Sequence, residues 1–188
     1  MISLKPAIHK TFVEAENVFT KNECEKMIED FSKLELKNGE IYSSDEKVRE
    51  SKIAFLNTND NKELIQKLGA LTLGCNQQHF DFELNFMEDV QFTSYTGEDK
   101  GFYGAHLDVG TDNQQRPTMR KLSFILQLSN PDDYEGGRFC VHTGTKEYPE
   151  MKQGHVYAFP SYMLHEVEPV TKGKRCTLVW WANGPNFK

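Results

Sequence analysis

From Phe80 to Trp181 the chain breaks into short apolar segments of strand length, each closed by Gly, Pro, Asn or Asp, and this punctuation constrains the fold most. Phe80, Phe82, Leu84 and Phe86 alternate with polar neighbours, the pattern of a half-buried strand. Further strands are predicted near 90–95, 103–108, 121–129, 138–142, 155–159, 165–170 and 175–181. Asn130-Pro131-Asp132-Asp133 and Glu135-Gly136-Gly137 read as turns, the glycines permitting positive φ. A run of short strands after two helices predicts an α+β chain, mainly β: an antiparallel sandwich or jelly roll with helices packed outside.

The two helices lie upstream. Thr20-Lys21-Asn22-Glu23 fits a capping box, and Cys24, Met27, Ile28, Phe31 and Leu34 then recur at helical spacing, predicting a helix over about 21–33. Lys37-Asn38-Gly39-Glu40 reads as a turn, and 51–57 as a short strand through Ile53 and Phe55. Asp60-Asn61-Lys62-Glu63 reads as a second capped start, ahead of Leu64, Ile65, Leu68, Leu71 and Leu73. These helices are expected to cover a sheet. With no repeat or linker in its 188 residues, the chain is expected to be one domain, 1–79 a helical support region and 80–188 the jelly-roll core.

Charge and cysteine usage narrow the partners. A net charge of −6 gives no footprint for non-specific nucleic-acid binding, although a local basic groove is compatible with it. Cys24, Cys75, Cys140 and Cys176 are widely spaced and show no CxxC pair, so they are expected to be reduced, packed thiols. There is no signal-peptide apolar region and no apolar run of membrane-spanning length. The expectation is a cytoplasmic enzyme or binding domain without a membrane contact.

Chemistry concentrates at Tyr103-Gly104-Ala105-His106-Leu107-Asp108. On an extended strand, residues i and i+2 share a face, so His106 and Asp108 can take adjacent positions on one metal ion. Such a pair is common by chance and needs a third ligand, for which His165 is the best candidate. Two His and one carboxylate on one face of an octahedron is the arrangement of non-haem Fe(II) oxygenases. His9, His79, His142 and His155 have no carboxylate two positions away on a strand and are assigned structural roles. Arg175 has two readings: a surface residue in a basic turn with Lys172 and Lys174, or a buried cation on the wall of the same site as His165. The second implies an acidic ligand. A hairpin from His165 to Arg175, turning at Lys172-Gly173, would bring both inside.

In order, His106-x-Asp108, then Tyr134-x-Gly136-Gly137, then His165-Glu166-Val167-Glu168-Pro169-Val170 leading to Arg175 and an aromatic strand resembles the 2-oxoglutarate- and Fe(II)-dependent dioxygenases, in their prolyl 4-hydroxylase-like branch. The segment Pro169-Val170-Thr171-Lys172-Gly173-Lys174-Arg175 is similar to that of bacterial and phage PKHD-type hydroxylases, and the resemblance runs from about Gln91 to Pro185. It implies that His106, Asp108 and His165 hold Fe(II), and that Arg175 and Tyr95 hold 2-oxoglutarate. Gln127 takes the place where the family often has a tyrosine. Lys174 is an alternative to Arg175 after a one-residue slip, while Trp181, six residues past Arg175, favours Arg175.

Further implications are O2 as co-reactant, ascorbate as a candidate supporting reductant, and succinate and CO2 as co-products. Retention of Asp108 implies hydroxylation over halogenation. The substrate implied is a protein or peptide, with prolyl as the first candidate residue. The alternatives are the same chemistry on a small molecule or nucleobase, and a non-catalytic metal-binding jelly roll needing the triad but neither Arg175 nor Tyr95. Tyr103 is expected to pack or to line the site mouth, and the polar 110–117 segment to be a flap or an ordinary hairpin loop.

Overall fold

The computed structural model describes residues 11–39, 41–43, 46–109 and 118–186; the 110–117 segment and His9 lie outside the described residues. In chain order the elements are β1 (Val13–Ala15), α1 (Lys21–Phe31), β2 (Lys37–Asn38), β3 (Ile41–Ser43), β4 (Glu46–Glu50), β5 (Lys52–Phe55), α2 (Lys62–His79) and β6 (Phe86–Met87). There follow β7 (Gln91–Thr96), β8 (Phe102–His106), β9 (Thr118–Gln127), a 3-10 turn (Pro131–Asp133) and β10 (Tyr134–Gly136). The last are β11 (Phe139–His142), β12 (Lys146–Glu147), β13 (Val156–Pro160), β14 (His165–Val167) and β15 (Val170–Pro185).

These strands form two sheets with a shared interior. The larger runs β1-β13-β9-β15-β7-β5-β2, with β6 and β10 also paired to β15, and the smaller runs β12-β11-β14-β8-β4-β3. The pairings that carry the site, β14 with β8 and β15 with β7 and β9, are antiparallel. This is the jelly roll that the strand punctuation predicts.

Period-2 alternation on the larger sheet explains how it serves two cores. Along β15, Cys176, Leu178, Trp180 and Ala182 enter a core with Cys24 and Phe31 of α1 and Leu68 of α2. Arg175, Thr177, Val179 and Trp181 face the space between the sheets instead. Trp180 and Trp181 therefore point opposite ways. Trp180 stacks on Phe124 at 5.1 Å and its indole N–H donates to Thr72 Oγ1 at 2.9 Å, which ties α2 to the sheet.

Helix α1 has the predicted capping box: Thr20 accepts from the Glu23 amide, and the Glu23 carboxylate accepts from the Thr20 amide. At α2 the expected cap is not made. Asn61 caps no amide with its side chain, and Asn57 Oδ1 accepts from the Asn59 and Asp60 amides instead. A missing cap costs about 1 kcal/mol, whereas burying one leucine contributes about 1.5–3 kcal/mol. Leu68, fully buried, with Leu64, Ile65 and Leu71 packed behind it, decides the balance in favour of the helix.

Further expectations are corrected, the first being the turn at Lys37-Asn38, which is strand β2 paired with β5. The 80–86 segment is not a strand, and only Phe86–Met87 joins a ladder. Asp81 takes φ 55°, and the Asn76 side chain holds both the amide and the carbonyl of Phe82, replacing a neighbouring strand. The aromatic alternation there serves burial, with Phe80 and Phe82 stacked at 6.2 Å. Next, residue 80 does not separate supports from the core, because β2 and β5 extend the larger sheet and β3 and β4 the smaller. Last, Lys172-Gly173 is not a turn but lies inside β15, kinked at Gly173 (φ +71°) where β10 pairs with it. The chain passes from β14 to β15 at Glu168-Pro169, so His165 and Arg175 sit in different sheets. The Gly136-Gly137 turn is made as predicted, at φ +75° and +59°; a Cβ at Gly136 would lie 2.3 Å from the Pro169 carbonyl.

Candidate metal centre

His106 ends β8 and His165 begins β14, and antiparallel pairing sets them directly opposite each other. Asp108 lies two residues beyond the last ladder residue of β8. Its amide donates to the Ser161 carbonyl at 2.9 Å, folding the carboxylate back over the strand end. His106 Nε2 is then 3.5 Å from Asp108 Oδ1 and His165 Nε2 is 3.5 Å from Oδ2. Ligand atoms of the three residues all lie within 4.8 Å of one another.

The remaining hydrogen bonds fix which atoms converge. His106 Nδ1 is 2.9 Å from the Gly104 carbonyl and His165 Nδ1 is 2.9 Å from the Met163 carbonyl. A carbonyl only accepts, so each Nδ1 carries a proton and donates, and Nε2 is the atom each ring offers to the centre, as a lone pair in the tautomer that can ligate a metal. Ser123 Oγ donates to Asp108 Oδ2 at 2.6 Å and is 2.9 Å from Ser161 Oγ. Burial raises the Asp108 carboxyl, but its interactions with His106, with His165 and with the Ser123 hydroxyl outweigh it, holding the group well below the usual carboxylate range. Burial pushes His165 down to about 4 against the pull of Asp108, so the ring is neutral at pH 7. Two imidazole lone pairs and a carboxylate aimed at one point repel unless a cation lies between them. The donor set fits a divalent metal with an open coordination face.

The triad stands on the wall of a cavity of about 220 Å³ between the sheets, which Tyr95, Arg175 and Trp181 also line. Arg175 is 1% exposed, 5.8 Å from the Tyr95 ring, and its Nε and Nη2 have no hydrogen-bond partner among the described residues. Lys174 points the other way and donates to Ser32 Oγ of the loop after α1 at 3.0 Å. The structure thus brings His106, Asp108, His165, Tyr95 and Arg175 together. Gln127 is not on the cavity wall. Its Nε2 donates to the Ser129 carbonyl and the Tyr134 hydroxyl, and Ile125, two residues earlier on the same face of β9, lines the cavity.

Residues 90–183, half of the chain, match the 2OG-Fe(II) oxygenase superfamily. The chain belongs to this family. It is 31% identical over 125 residues to a PKHD-type hydroxylase from Crocosphaera subtropica, covering 63% of this chain and 55% of the relative. It is 45% identical over 82 residues to a PKHD-type hydroxylase from Prochlorococcus marinus, covering 42% and 35%. The chain therefore spans about half, or less, of the length of the curated relatives it matches. Solved structures share the fold. A Pseudomonas putida prolyl-4-hydroxylase aligns over 94% of each chain with TM-score 0.69 and 21% identity. A Trichoplax adhaerens prolyl hydroxylase, in complex with a hypoxia inducible factor peptide fragment, aligns over 92% of this chain and 83% of its own with TM-score 0.73 and 18% identity.

Several residues of this family member escape the sequence reading. Arg49, nine-tenths buried, lines the cavity; its Nε donates to Ser51 Oγ at 2.9 Å and its Cζ lies 4.7 Å from the Tyr103 ring centroid. Tyr103 stacks in turn on His106 at 3.5 Å, so it both packs and lines the cavity, and burial pushes its hydroxyl up to about 12. Arg120 stacks on Trp181 at 3.8 Å and is held by Glu88 through two hydrogen bonds. Arg49 and Ser51 repeat the i, i+2 spacing of His106 and Asp108, which is the signal that could have found them. His155 and His142 also have carboxylate neighbours, Glu14 at 2.8 Å and Glu166 at 3.7 Å, both from other strands.

Proposed function

We propose that the chain is an Fe(II)- and 2-oxoglutarate-dependent dioxygenase that hydroxylates a peptidyl residue, with prolyl as the leading candidate. The observation that carries the reading is the Arg175 guanidinium, buried on the cavity wall beside the triad with two donor atoms unpartnered. A buried cation without an anion is costly, and a planar fork of donors matches a carboxylate. His106, Asp108 and His165 would hold the metal. Arg175, with Tyr95 beside it, would hold the distal carboxylate of 2-oxoglutarate. A plain metal-binding jelly roll has no use for the guanidinium.

When bound, Fe(II) and 2-oxoglutarate supply the oxidation: one oxygen atom of O2 ends in succinate with loss of CO2, the other in the new hydroxyl of the substrate. The chain's own residues position and shield. Ser123 and the Gly104 and Met163 carbonyls fix the ligand orientations, and Phe139, Phe159 and Ile125 make the surrounding wall apolar. Exposed Ile41 and Phe55 line the same cavity at its open side, where they offer apolar contact to an incoming chain. The relatives' hydroxylase names and the peptide in the Trichoplax adhaerens complex support a peptide substrate.

The test is release of succinate from 2-oxoglutarate with Fe(II) and O2, alone and with prolyl-containing peptides, alongside mass spectrometry for a gain of about 16 Da, one oxygen atom. Stimulated succinate with a matching gain on proline is expected. No succinate under any condition overturns the oxygenase reading, and a gain on another residue type or on a small molecule overturns the prolyl assignment.

A further inference from the structure

The face of the smaller sheet turned away from the triad carries a second convergence of ligand types. In the register of β11 and β14, Val141 pairs with His165 and Cys140 with Glu166. Since His165 faces the cavity, Glu166 and Cys140 face outward, and His142, two residues from Cys140, shares that face. Ligand atoms of Cys140, His142 and Glu166 lie within 4.8 Å of one another. We propose that these three residues form a second metal site, for Zn2+ or a similar borderline-soft divalent cation.

Geometry and charge support it. Bonds of about 2.0–2.3 Å to one tetrahedral ion place ligand atoms roughly 3.3–3.8 Å apart. His142 Nε2 and Glu166 Oε2 already stand at 3.7 Å, too long for a hydrogen bond and right for sharing an ion. His142 Nε2 is buried and has no hydrogen-bond partner among the described residues. Lys146 Nζ holds the other carboxylate oxygen, Oε1, at 2.5 Å, so an ion at Oε2 does not displace it. A thiolate and a carboxylate neutralise a dication, and the Cys140 proton leaves to solvent as the ion binds. Sulfur selects against Mg2+ and Ca2+ and separates this site from the all-N/O triad behind it. Three ligands leave a fourth position for water or an external donor.

Cobalt reads the two sites apart, because only a sulfur ligand gives a thiolate-to-cobalt charge-transfer band in the near ultraviolet. The metal-stripped, reduced full chain is titrated with Co2+. Two equivalents are expected, one developing that band, with the band lost on adding Zn2+. Cys140→Ser should abolish the band and one equivalent, His142→Gln should weaken that equivalent by at least about tenfold, and His106→Ala should leave the band intact. A titration without the band, or a band that survives Cys140→Ser, overturns the site. Should Cys140→Ser fail to fold by circular dichroism, His142→Gln decides, and unchanged affinity overturns the proposal. None of these readouts depends on oxygenase activity.

Discussion

Replacing Arg175 with methionine should make the metal- and cosubstrate-free protein more stable while crippling its use of 2-oxoglutarate. Arg175 is 1% exposed, and two of its donor atoms have no partner among the described residues. An unsatisfied buried donor costs about 1–3 kcal/mol, and methionine fills a similar volume without one. At roughly 2–4 °C per kcal/mol for a chain of this size, Tm should rise by about 2–12 °C. Truncating one partner of a buried, hydrogen-bonded charge pair costs about 2–5 kcal/mol, so the KM for 2-oxoglutarate should rise about 30- to 4,000-fold. The assays are a thermal melt without ligands, and succinate release against 2-oxoglutarate concentration. Added 2-oxoglutarate with Mn2+ should raise the melting temperature of the parent and not of Arg175→Met. The opposite pair of results, a lower Tm with an unchanged KM, would show that Arg175 props up the fold and has no part in cosubstrate binding.

Other substitutions separate the layers of the site. Asp108→Ala should abolish Mn2+ binding at the triad by calorimetry with the far-ultraviolet spectrum unchanged, since the residue lies beyond the β8 ladder. Ser123→Ala removes the 2.6 Å hydrogen bond that orients Asp108 and should weaken metal binding by about 10- to 100-fold, measured by competition with a chelator. Arg49→Ala should raise the KM for a peptide substrate by about tenfold and leave that for 2-oxoglutarate within about twofold, because Arg49 abuts Tyr103 while Arg175 stands by Tyr95. Trp180→Phe should lower stability by about 1–2 kcal/mol in denaturant unfolding, through the lost bond to Thr72, without changing kcat.

The alternation of apolar and polar residues reports which face of a strand a residue takes, and along β15 it was legible. Trp180 against Trp181 and Arg175 against Lys174 separate as a period of two demands. The same rule failed at 80–86, where the pattern is obeyed but the backbone is tied to Asn76 at Phe82 and enters the β15 ladder at Phe86. Capping chemistry was readable at α1 and misleading at α2. In α1 the Thr20 hydroxyl meets its amide, whereas before α2 the Asn57 side chain takes over the turn.

Which sheet a strand joins is a different kind of information, because it depends on pairings between segments far apart in the chain. His165 and Arg175 reach one interior from opposite sheets, the chain crossing at Glu168-Pro169, so the hairpin expected to join them was unnecessary to their meeting. Ser123 finds Asp108, and Glu14 finds His155, only after the larger sheet has set β9 and β1 beside β13. The His106-x-Asp108 spacing marked two ligands, one at the end of β8 and one two residues beyond its ladder. By contrast, the Ser123 that orients Asp108, and the Glu166 that turns His142 from a structural histidine into a ligand candidate, come from registers that closure of the jelly roll imposes. Local spacing therefore finds ligands that are near neighbours in the chain, while cross-strand pairing decides which other side chains can act with them.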